Sequence, residues 1–189
     1  LSMLVAQAKK ASEYFTGAKI PDTEIDRIES LLSAQMENII LIGMPGCGKS
    51  SIGRRLARIY SLPFVDADVE IEKAGGGDIC YLFERYGEAA FRQAEQRIMA
   101  RLLDGEKCVL AAGGGAFLSE TTRANVKAKA VGLFLDASVE AVARNTMGRA
   151  HRPLLNVENP RAVIEHMMAV RRPFYEQADL RVACGDETM

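Results

Sequence analysis

With 189 residues, 24 Lys and Arg against 25 Asp and Glu, and a net charge of -1, the chain has no overall basic field for nucleic acid, so any anion site is local. It is 48% hydrophobic and 26% charged, the balance of an ordinary globular domain, and has no Trp for a base-stacking surface. No run approaches the roughly 18 apolar residues of a membrane span and no secretory signal is visible, which points to a cytoplasmic protein without membrane partners. Cys47, Cys80, Cys108 and Cys184 form no CxxC pair and no zinc spacing, so they read as reduced thiols.

Along the chain, residues 1–36 stand apart as a helical extension. Leu1, Leu4, Val5, Ala8, Ala11 and Phe15 make one helical stripe that stops at Thr16 and Gly17. Ile25, Ile28, Leu31 and Leu32 make a second, with Asp22 as its cap. The main domain is expected over 37–189. Five apolar runs without strict alternation read as parallel strands: Asn38 to Ile42, Leu62 to Val65, Lys107 to Ala112, Ala130 to Leu135, and Leu180 to Cys184. Helical patterns fall between them, over Lys49 to Tyr60, Gly87 to Leu103, Thr121 to Lys129, Ser138 to Met147, and Arg161 to Ala178. Strands alternating with helices predict an α/β fold on a central parallel sheet.

After the first strand comes "GMPGCGKS", a match to G-x-x-x-x-G-K-[ST] in the strand-to-helix context it requires. Its backbone N–H groups are suited to cradling phosphates, so Gly43, Met44, Pro45, Gly46, Cys47, Gly48, Lys49, Ser50 and Ser51 are assigned to ATP. Lys49 is assigned to the β- and γ-phosphates and Ser50 to Mg²⁺. Asp66 and Asp68, two apart at the end of the second strand, should project to one side, one toward Mg²⁺ and one toward a substrate hydroxyl; a helix cap is the plainer alternative. Arg92 and Glu95 share a helix face, either as a solvated pair or as a guanidinium aimed at a carboxylate ligand. Gly113, Gly114 and Gly115 follow a strand and permit close approach of a ligand, whereas Gly75 to Gly77 read as a turn between two short helices.

Arg144, Arg149, His151 and Arg152 lie in or beside a stretch of weak pattern, either a lid or an exposed loop. His151 and His166 read as structural or solvated. Arg171 and Arg172 precede Pro173, and spacing does not choose between them.

Taken in order, "GMPGCGKS", "DAD", "FRQAE", "GGG", "RPLL" and "RRPFY" resemble the shikimate kinase family over about residues 38 to 184. The resemblance implies a P-loop kinase fold, with a five-stranded parallel sheet flanked by helices, a substrate-binding subdomain and a closing lid. It implies ATP-dependent phosphorylation of the 3-hydroxyl of shikimate. On it, Asp66 is the magnesium-associated aspartate, and Asp68 contacts the substrate hydroxyls and accepts the proton. Arg92, Arg152 and Arg171 bind the substrate carboxylate, and Glu95 orients Arg92. Gly113, Gly114 and Gly115 lie against the ring, with Phe83, Phe91, Pro153 and Leu154 lining the pocket. Lys49, Asp68 and Arg152 are the catalytic set. Arg144 or Arg149 stacks on the nucleotide, because the lid is about one residue longer than in relatives. Family members continue past the equivalent of Met189 into a last helix. Residues 1–17 resemble the closing helix of shikimate dehydrogenase, which implies a dehydrogenase–kinase fusion. The competing functions are a gluconate-type small-acid kinase and a non-catalytic nucleotide-binding module.

Overall fold

The computed structural model of the chain describes residues 9, 10, 13, 14, 19, 21–23, 37–146 and 160–184. The chain divides into two compact units, Leu1–Glu37 and Asn38–Met189. In the first, Lys9, Lys10, Glu13, Tyr14 and Thr23 are helical. Asp22, expected as a helix cap, accepts a hydrogen bond from Lys9 Nζ, which also lies 3.8 Å from Glu13.

The second unit is built on a five-stranded sheet, all parallel, in the order β2-β3-β1-β4-β5. The strands are β1 (Asn38–Ile42), β2 (Phe64–Asp66), β3 (Val109–Ala111), β4 (Ala130–Ala137) and β5 (Leu180–Cys184). The helices are α1 (Lys49–Tyr60), α2 (Ala67–Gly75), α3 (Ile79–Asp104), α4 (Glu120–Lys129), α5 (Val139–Thr146) and α6 (Pro160–Tyr175). Among the described residues no helix is long and apolar enough to cross a membrane.

Strand β1 is apolar from Ile39 to Ile42 because it is central and covered on both faces. Ile40 and Ile42 enter one core with Leu110, Phe134, Leu135 and Tyr175, while Leu41 enters a second with Ala57 and Val109, as strand alternation dictates. Buried Asn38 ties three ends together. Its Nδ2 donates to Leu103 O (3.1 Å) and Lys129 O (3.2 Å), and its Oδ1 accepts from Cys108 N (3.1 Å). At the other edge, Asp136 takes Arg172 as a fork (2.6 and 3.1 Å) and accepts from Arg181 (2.6 and 3.0 Å), pinning β5. The four cysteines are free.

Several expectations shift: the third strand is shorter at both ends and the last helix stops at Tyr175 rather than Ala178, and four further differences have a clear cause. The second strand starts at Phe64 rather than Leu62, because Pro63 has no N–H and joins the ladder only through its carbonyl, which accepts from Val109 N (2.9 Å). The fourth strand runs on to Ala137 because its last residues pair with β5. Helix α3 is two helical stretches that meet at Gly87, whose backbone is not helical (φ 76°, ψ 165°); the predicted helix is the second, and the first, from Ile79, has no predicted bounds. Asp66 and Asp68 do not share a strand face: Asp66 ends β2 and caps α2, and Asp68 lies in that helix's first turn. As expected, Gly75 to Gly77 lie at the turn between two helices, with Gly76 closing α2 in the left-handed conformation.

Candidate active site

The phosphate loop runs from the end of β1 to the start of α1. Gly43 takes φ 145°, and a Cβ there would lie 2.7 Å from Leu135 O and 2.9 Å from Cys47 Sγ. Gly48 takes φ 98° as the residue that opens α1, so any other residue would be strained there. Lys49 Nζ donates to the carbonyls of Gly43 and Met44, both at 2.9 Å, and so closes the loop on itself. Met44 and Cys47 are buried beneath it. Ser51 is exposed in the first turn of α1. Asn145, at the end of α5, donates to Gly46 O (2.9 Å). Arg144, its neighbour in sequence, is exposed.

Ser50 Oγ donates to Asp66 Oδ2 (2.9 Å), while Asp66 Oδ1 accepts from Asp68 N (3.2 Å). Asp66 is thus a helix cap through one oxygen, while its other oxygen meets the phosphate loop. A hydroxyl and a carboxylate in contact are hard oxygen donors suited to Mg²⁺, which takes one or two protein ligands and fills its shell with phosphates and water. Among the described residues no group of three or more His, Cys, Asp or Glu could hold a metal without such help.

Asp68 turns away from Asp66 toward the glycine triplet. A Cβ on Gly113 would lie 2.6 Å from Asp68 Oδ1 and 2.9 Å from Glu95 Oε1. One on Gly114 would lie 2.9 Å from Pro45 Cδ and 3.3 Å from Arg171 Nη1. One on Gly115 would lie 2.8 Å from Arg92 Cζ. The triplet is needed for space: the charged side chains of three helices and the phosphate loop press against it.

Arg92 Nη1 donates to Glu95 Oε2 (2.8 Å), and its Nη2 lies 3.4 Å from Glu88 Oε1. Its guanidinium stands 5.5 and 5.4 Å from the ring centres of Phe83 and Phe91, which stack at 4.1 Å. Glu95 is only 3% exposed, so this is no solvated surface pair. Arg171 and Arg172 diverge. Arg171 Nη1 donates to Gly114 O (3.2 Å), whereas Arg172 is committed to Asp136. Arg149, His151, Arg152, Pro153 and Leu154 lie outside the described residues, and His166 is exposed on α6.

The profile of the shikimate kinase family matches residues 45–189. The chain belongs to the shikimate kinase family. Shikimate kinase of Paramagnetospirillum magneticum is 46% identical over 165 residues, 87% of this chain and 85% of that protein. Shikimate kinase of Bradyrhizobium diazoefficiens is 46% identical over 169 residues, 89% of this chain and 82% of that one. The latter stretch is longer than the Asn38–Met189 unit, so it takes in part of the N-terminal unit as well. Among solved structures, shikimate kinase of Acinetobacter baumannii in complex with shikimate superposes with a TM-score of 0.79 at 34% identity, covering 84% of this chain and 89% of that one.

Opposing influences act on the buried Glu95 carboxylate. Burial pushes the Glu95 carboxyl above the usual carboxylate range, and Asp68 adds to this. The hydrogen bond and charge of Arg92, and the charge of Arg171, pull it back. Two contacts were not foreseen from the sequence. Asn145 is one polar residue at a helix end, and only the folded chain brings it to Gly46. Tyr175 had a signal, as the last residue of "RRPFY", but no assigned role. It is 1% exposed and its hydroxyl donates to Gly114 O at 2.5 Å.

Proposed function

We propose that this chain transfers the γ-phosphoryl group of ATP to the 3-hydroxyl of shikimate, giving shikimate 3-phosphate and ADP. One observation carries the reading: the phosphate loop, Asp68, the Arg92–Glu95 pair and Arg171 all meet at Gly113 to Gly115. A triphosphate cradle and a cationic acid pocket therefore share one wall.

In this mechanism the loop amides and Lys49 hold the phosphates, and Lys49 exchanges its two backbone carbonyls for phosphate oxygens. Ser50 and Asp66 would hold Mg²⁺, which offsets phosphate charge when bound. Arg92, kept in line by buried Glu95, and Arg171 grip the substrate carboxylate, with Arg152 completing the set. Asp68 orients the 3-hydroxyl and takes its proton as the new O–P bond forms and the bond to the ADP oxygen breaks. Most of the rate gain comes from positioning and charge stabilisation. Arg144 or Arg149 covers the nucleotide; the contact of neighbouring Asn145 with Gly46 supports Arg144.

We further propose that residues 37–189 form the kinase domain and that residues 1–36 are an extension to it, in a cytoplasmic protein. The likeness of residues 1–17 to a dehydrogenase helix finds no support in the comparisons.

Titration calorimetry with shikimate, with and without ADP and magnesium, tests the reading. Binding of shikimate that strengthens with the nucleotide is expected. A coupled assay with a panel of acids separates it from a gluconate-type kinase. ATP binding without turnover on any acid would leave only a nucleotide-binding module.

A further inference from the structure

The Gly114 carbonyl accepts two hydrogen bonds, from Tyr175 Oη at 2.5 Å and from Arg171 Nη1 at 3.2 Å. A carbonyl oxygen has two lone pairs and can hold both. The two donors are not equivalent. Tyr175 is 1% exposed, and its ring packs 5.4 Å from that of Phe134, so core packing fixes the hydroxyl. Arg171 is half-buried, on a long side chain one helical turn earlier on α6. Gly114 also abuts Pro45 of the phosphate loop, so the position of this peptide sets the spacing between the two halves of the site.

If Arg171 is to grip a substrate carboxylate, it must leave the Gly114 carbonyl. A lone carbonyl in a half-buried place would then lose its partner, and the loss would count against substrate binding. We infer that Tyr175 is a positioning residue for acid binding: its hydroxyl keeps the Gly114 carbonyl satisfied and in place, so that Arg171 is released to the substrate. Burial also pushes the Tyr175 phenol above its ordinary value, against the pull of Arg171 and Arg92, which keeps the proton available for donation. The inference rests on the shikimate-binding reading above.

Steady-state kinetics of Tyr175→Phe, Arg171→Ala and the double variant test it. Tyr175→Phe should raise the shikimate KM by about three- to tenfold, the scale of one hydrogen bond. The ATP KM should not change and kcat should stay within about twofold, the split expected when only ground-state binding is lost. In the Arg171→Ala background the added Tyr175→Phe should have no further effect. An unchanged shikimate KM in Tyr175→Phe overturns the inference. So does a penalty that adds in full to that of Arg171→Ala, or equal losses for both substrates, which would mark a general packing defect. Should Tyr175→Phe not fold, difluorotyrosine at position 175 keeps the ring. Its shikimate KM should rise with pH as the phenol ionises, and a flat profile overturns the inference. Wild-type protein without shikimate-dependent turnover, or Arg171→Ala with wild-type shikimate KM, would sink the underlying reading. A neutral Tyr175→Phe beside an impaired Arg171→Ala sinks this inference alone.

Discussion

Arg92 illustrates how much one side chain here depends on its neighbours. Its guanidinium is held by Glu95 at 2.8 Å and lies near two stacked phenyl rings, so it reaches the pocket already oriented. Arg92→Ala is expected to cost about 2–5 kcal/mol of shikimate binding, as for truncation of a desolvated charge pair. Calorimetry reads this directly, and wild-type affinity would refute the assignment. Lys49→Ala should separate the two halves of the site, lowering kcat by about 100-fold or more while shikimate affinity is largely kept. Glu95 gives a pH prediction. Its carboxyl is raised by burial, so it takes up a proton at a higher pH than a free carboxylate does. As pH falls through that raised value the ion pair with Arg92 is lost, and shikimate KM should rise. Glu95→Gln should flatten this acid limb. For stability the sign is opposite: the folded state holds this proton more tightly than the unfolded chain. The contribution is therefore fully present only in acid, below the ordinary Glu value, and is lost as pH rises through the raised one.

At the scale of elements, what could be read from sequence was what local rules decide. Helix α1 and strand β5 have their expected bounds, because a glycine-rich start and a compact apolar run are local signals. Helix α2 was foreseen only as a short helix before a glycine turn, since nine mixed residues show little periodicity. The paired aspartates were expected on one strand face, and the helix that starts between them divides their tasks instead. The site residues were legible because each sits in a short motif, and so was the local Arg92–Glu95 pair, but partners distant in sequence were not. Asn38 is the clearest case. It bonds to residues 65, 70 and 91 positions away, and nothing in "NIILI" announces that. Asn38→Leu would strand two carbonyls and an N–H in the interior and should cost about 3 kcal/mol or more, measured by urea unfolding. A midpoint within error of wild type would contradict the latch.

For the whole molecule, the central position of β1 matters most. Its end delivers the phosphate loop to the middle of the sheet, with β3 and its glycine triplet on one side and β4 on the other. Ligands gather at the carboxyl ends of such strands because loops from both directions converge there. Binding therefore draws several elements together, and its energy should appear as global stability. Shikimate at about 100 times its Kd should add about 2.7 kcal/mol to unfolding, and nucleotide should add its own increment. Thermal melts with each ligand alone and with both check this; a melting point that ignores shikimate would count against a pocket shared by α2, α3 and α6.

The glycine triplet sets a limit on how this enzyme could be redesigned. Carboxylates crowd Gly113, the phosphate loop crowds Gly114 and a guanidinium crowds Gly115, so the wall has no slack to trade for a larger substrate. A methyl group added there would displace a charge before it reshaped the cavity. Broader acid scope has to come from elsewhere, and Phe83 and Phe91 offer no free alternative, because the Arg92 guanidinium rests against both rings.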